Sequence, residues 1–162
     1  MATTTNVIDG MMGPFAVQPI KGDDVGKPPF LWIHKTLPPP PTAEQLQRAG
    51  RTRAQYDSAI TATVDAWDGQ MRSMSGGAMR VVIEGANIEH IDFSDESLWN
   101  TSLTPDARAA KLKTIATTRA YVRAFFDGCV RGDWSAMRTL VGKAGTSSPE
   151  ITINMFGKMW PG

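Results

Sequence analysis

At 162 residues and a net charge of +1, the chain is sized for one domain and carries no charge excess that would mark a nucleic-acid or lipid-surface partner. An apolar fraction of 41% with five Trp excludes a disordered chain. A single Cys, Cys129, excludes an internal disulfide and a Cys-built zinc site, and with only His34 and His90 as histidines a His-rich metal site is excluded too.

Asn6 to Ile8 is short and apolar and stops at Asp9-Gly10, which reads as the end of a strand. Residues 10–28 are dense in Gly, Pro and Asp and form a loop. Pro29-Phe30-Leu31-Trp32-Ile33-His34 is a continuous apolar run, the pattern of a strand buried on both faces as in a parallel sheet. Pro38 to Pro41 is stiff and cannot be helix interior. Thr42 with Gln45 predicts a capping box. Gly50 interrupts that helix, and Thr52 with Gln55 repeats the box. From there Ile60, Val64, Trp67 and Met71 mark one helical face, which Ser73 to Gly77 ends.

Met79 to Ile83 reads as another buried strand, followed by a polar loop from Gly85 to Asn100. Thr104-Pro105-Asp106 predicts a helix start with Pro in the first position. Leu112, Ile115, Ala116 and Val122 supply its apolar face, and Gly132 stops it. Asp133 then caps a short helix through Leu140. Residues 1–144 are expected to form the domain and residues 145–162 a tail or arm, with Ile151 to Phe156 open between a strand and an arm on a neighbour. Strands alternating with helices predict an α/β fold of about three parallel strands with flanking helices.

Functional groups of parallel sheets gather at the carboxyl edge of the strands. Asp9 follows the first strand and His90 lies in the loop after the third, so both are expected at one rim. A carboxylate can hold an imidazole in one tautomer while the imidazole works as a base near neutral pH. The plain alternatives are an Asp-Gly turn and a surface histidine.

Ile83-Glu84-Gly85, His90-Ile91-Asp92-Phe93-Ser94-Asp95, Val7-Ile8-Asp9-Gly10 with Gly13-Pro14, and Pro29 to Ile33 together resemble the histidine loop, the aspartate strand and its next strand in the platelet-activating-factor acetylhydrolase and dienelactone-hydrolase-like branch of the α/β-hydrolases. The resemblance covers roughly residues 6 to 130, with a longer Gly85-to-His90 spacing than the family pattern. It implies that Asp9 is the acid and His90 the base of a serine-hydrolase triad on a partial α/β-hydrolase fold, acting on a small ester, with no cofactor and no metal. No Gly-x-Ser-x-Gly occurs in the 162 residues. The chain order of such triads is Ser, Asp, His, so the nucleophile half is expected to be missing. The isolated chain is then expected to be inactive, and to self-associate or bind an N-terminal partner chain rather than persist as a monomer. The alternatives are a non-catalytic α/β module or partner subunit of a split hydrolase, and an unrelated binding domain.

Other candidates are weaker. Ser75 in Ser73-Met74-Ser75-Gly76-Gly77 has a helix before it and a strand after it, the reverse of a nucleophile elbow. Ser94 reads as a loop cap, Cys129 as core, and His34 as a structural residue or a neighbour of the site. Trp32, Trp67, Trp99 and Trp134 read as core or pocket wall. Asp92, Asp95 and Glu96 lack calcium-loop spacing. No run of residues is long and apolar enough to span a bilayer. The first six residues lack a signal peptide's basic and apolar regions, so a cytoplasmic location is expected if this is the native start.

Overall fold

The structure, a computed structural model, describes residues 29–36, 39–85, 93, 98, 99 and 101–160. Its elements in chain order are β1 (Phe30–Lys35), α1 (Ala43–Arg48), α2 (Arg53–Ser73), β2 (Ala78–Ile83), α3 (Pro105–Arg131), α4 (Ser135–Lys143) and β3 (Ile151–Phe156). The predicted strand at Asn6–Ile8 lies outside the described residues.

Local sequence explains the helix boundaries. Both threonines expected to cap do so. Thr42 accepts from the Gln45 N–H and Thr52 from the Gln55 N–H, and each glutamine side chain returns to the cap's backbone N–H. Four amides are thereby satisfied that would otherwise lack partners. Gly50, with φ +63°, separates the two helices. Thr104 caps α3, with Pro105 in its first turn. Gly132 ends α3 at φ +74°, the left-handed conformation that glycine adopts without a Cβ clash.

The sheet has the order β1-β2-β3. β1 and β2 run parallel, from Phe30 opposite Ala78 to Lys35 opposite Ile83. β3 runs antiparallel to β2, with Ile151 opposite Ile83 and Phe156 opposite Ala78. Among the described residues the fold is therefore mixed α/β with one parallel pair, formed by the two of the three expected parallel strands that lie within them. Ile151 to Phe156, left open between a strand and an arm within the expected tail, is the strand β3. A short link after α4 returns the chain to the sheet at the carboxyl end of β2, and from there β3 can only run antiparallel.

Alternation along the strands divides the core into two layers. Leu31, Ile33, Met79, Val81, Ile83 and Ile151 face α3 and α4, meeting Tyr121, Phe125, Trp134 and Met137. Phe30, Trp32, Ala78 and Phe156 face α2, meeting Trp67, Met71 and Met74. A sheet covered on both faces accounts for the continuous apolar run in β1.

Three expectations are corrected. The buried face of α3 is Thr114, Ile115, Thr118, Tyr121, Ala124, Phe125 and Gly128, so Leu112 and Ala116 point outward. Thr114 and Thr118 can occupy core positions because their hydroxyls donate to the carbonyls of Ala110 and Thr114. α4 continues past Leu140 to Lys143, and Trp134 holds its N-cap position. Asp133 stands one residue earlier and accepts from the Ser135 N–H and hydroxyl, which holds its carboxyl below the usual range. Trp99 is 77% exposed rather than core, whereas Trp32 and Trp134 are buried.

Candidate functional site

The parallel register brings the carboxyl ends of β1 and β2 to one rim, where Lys35 pairs with Ile83. The chain leaves β2 through Glu84 and Gly85, and β3 holds this exit in place. The Glu84 N–H donates to the Glu150 carbonyl at 2.7 Å, and the Thr152 hydroxyl donates to the Glu84 carboxylate at 3.0 Å. Lys113 of α3 reaches the Glu150 carboxylate at 2.9 Å and lowers its pKa. The described chain therefore leaves the sheet at the rim through Gly85, and Phe93 lies against the α3-side core.

Asp9 and His90, the expected acid and base, lie outside the described residues, as do Ser94, Asp92, Asp95 and Glu96. The separation of Asp9 from His90 lies outside them as well.

His34 is the one histidine described. Its Nδ1 lies 2.6 Å from the Lys35 carbonyl oxygen. A carbonyl only accepts, so Nδ1 carries the proton and Nε2 presents its lone pair. Nε2 is buried and has no hydrogen-bond partner among the described residues, and the same is true of the Trp32 Nε1–H. Burial pushes the imidazole pKa from 6.5 down to about 4, with the Lys35 hydrogen bond opposing and the charge of Arg80 adding. The ring centroid sits 4.4 Å from that of Trp32, which meets Trp67 of α2 edge-on at 5.0 Å. His34 therefore belongs to the α2-side aromatic layer.

Sequence reasoning missed the network beside this layer. Arg80 of β2 pairs with Asp68 of α2 and donates from Nε and a terminal nitrogen to the Asn154 side chain of β3, at 3.2 and 3.1 Å. Its guanidinium also lies 5.5 Å from the Phe156 ring centre. One side chain thus ties α2, β2 and β3 together. The signal was an arginine inside the apolar run Met79 to Ile83, which requires a buried acid or amide as partner.

Ser75 lies in the turn between α2 and β2, at the amino end of β2 and away from the carboxyl rim. Burial raises the Cys129 thiol pKa, which keeps it protonated and unreactive. Among the described residues no three His, Cys, Asp or Glu side chains are grouped to hold a metal, and no helix is long and apolar enough to cross a membrane.

Comparison with protein-family models, with curated proteins and with solved structures finds no match to this chain.

Proposed function

We propose that this chain is the C-terminal part of a serine-type carboxylic-ester hydrolase of α/β-hydrolase kind, in which Asp9 orients His90. The observation that carries the reading is the β1–α2–β2 unit. Its parallel strands end in register at one rim, and β2 ends there at Ile83, seven residues before His90 in the sequence. A long helix, α3, then packs on the face opposite α2. This is the setting the resemblance requires for the base.

In this mechanism the Asp9 carboxylate accepts from the His90 Nδ1–H, and Nε2 takes the proton of a serine hydroxyl as the serine attacks the ester carbonyl. The protonated imidazole passes its proton to the departing alcohol. It next takes a proton from the water that hydrolyses the acyl-enzyme. The serine is supplied by residues outside these 162, in a partner or preceding segment that docks on this part. The absence of a Gly-x-Ser-x-Gly motif also supports a second reading, a non-catalytic module that retains the scaffold.

Fluorophosphonate labelling separates the two. The chain alone is expected to take no label, whereas in complex with the polypeptide encoded next to it a serine of that polypeptide is labelled. His90→Gln abolishes the label and Asp9→Asn slows it by about ten-thousandfold. A covalent adduct on any serine of this chain overturns the proposal. So does labelling of the complex that is indifferent to both substitutions.

A further inference from the structure

We propose that His34 is an acid-sensitive latch that holds the C-terminal end of α2 on the sheet while uncharged and releases it on taking up a proton. The latch is independent of the hydrolase reading. α2 runs for 21 residues, yet Met71 is its only buried one. Besides the Asp68–Arg80 pair, its attachment to the sheet is the layer of Trp67, Met71 and, just past its end, Met74 on Trp32, Ala78 and Phe156. The His34 ring closes this layer by packing on Trp32, which carries the contact on to Trp67.

The chemistry of the ring makes the contact conditional. With Nδ1–H committed to the Lys35 carbonyl, a second proton must go to Nε2, which is buried without a partner among the described residues. An N⁺–H there would be charged, desolvated and without an acceptor, so the ring must reach water to hold it. Moving the ring outward withdraws it from Trp32 and opens the layer beneath α2.

The charged groups facing the layer reinforce this. Arg80 of β2 is itself a cation. Asp68 of α2 is already engaged by Arg80 and by Arg72, the latter at 3.6 Å. Lys35 follows His34 on β1, and at the rim the Glu84 carboxylate is held by Thr152. Asn154, from β3, is uncharged and bonded to Arg80. No uncommitted carboxylate among these groups compensates a charged ring.

Hydrogen exchange of the full chain, read by mass spectrometry and corrected for the intrinsic pH dependence of exchange, tests the latch. A ring with pKa about 4 when closed and the ordinary 6.5 when released predicts that peptides covering 64–74 lose protection about twentyfold from pH 7 to pH 5. Peptides within α3 keep theirs. His34→Phe, which retains an aromatic ring without a titrating group, and His34→Gln are expected to remove the pH dependence. Exchange of the imidazole C2 hydrogen in the wild-type chain reads the His34 pKa directly, and a value below about 5.5 is expected. A value at or above that overturns the latch. So does a loss of protection that is the same in wild type and either variant.

Discussion

Single side chains at two places carry constraints out of proportion to their size. The Arg80 and Asp68 side chains are only 14% and 19% exposed, so removing one leaves the other charged and poorly solvated. Arg80→Met is expected to lower stability by about 3 kcal/mol in urea unfolding, and the Arg80→Met/Asp68→Leu pair by less than the single change. The second place is Gly128, where α3 passes against the buried Trp134. A Cβ built there would lie 2.3 Å from two carbons of the indole ring. Trp134 is held by Phe125 on one side and Trp160 on another. Gly128→Ala therefore forces a ring that has nowhere to move. The expected cost is about 1–3 kcal/mol, read as a lower denaturation midpoint with unchanged slope.

At the scale of elements, helix starts are local and one strand is not. Thr52→Ala removes one half of a capping box at an exposed position. It is expected to cost about 1 kcal/mol, visible as a small drop in the thermal midpoint. β3 is different, since its register is set by pairing along the whole of β2, and Ile151 and Phe156 bury themselves in opposite layers. Truncation after Gly145 is therefore expected to abolish cooperative unfolding, checked by near-ultraviolet circular dichroism and limited proteolysis. It exposes the edge of β2, removes Asn154 from Arg80 and frees the exit strand at Glu84.

For the whole molecule, the pH dependence of stability follows from the buried ring. The folded His34 pKa of about 4 lies below the ordinary 6.5. Between those values the unfolded chain binds more protons, so the contribution of the neutral ring is complete above pH 6.5 and is lost as the pH falls toward 4. The loss amounts to about 2.5 kcal/mol between pH 7.5 and 4.5. Urea unfolding of wild type against His34→Phe isolates it, because the carboxylates of Glu150 and Asp133 titrate alike in both chains.

Much of this architecture was legible in residue order. Thr42, Thr52, Thr104 and Gly132 marked helix ends through hydrogen bonds made within a few residues, and the apolar runs of β1 and β2 announced strands covered on both faces. The reading of Asp9 and His90 also came from the sequence, through a resemblance, and concerns residues outside the described part. Tertiary structure alone decided the rest. The direction and place of β3 depend on where the chain returns to the sheet, which no local preference encodes. The outward position of Leu112 depends on which face of α3 the sheet and α4 cover, with Thr114 and Thr118 tolerated inside by bonding to their own helix. The Arg80, Asp68 and Asn154 network joins three elements far apart in sequence, and the depressed basicity of His34 arises from the layer that closes around it. Local chemistry specifies elements because its partners are a few residues away. Packing decides pairing, facing and charge state because those partners meet only once the chain has folded.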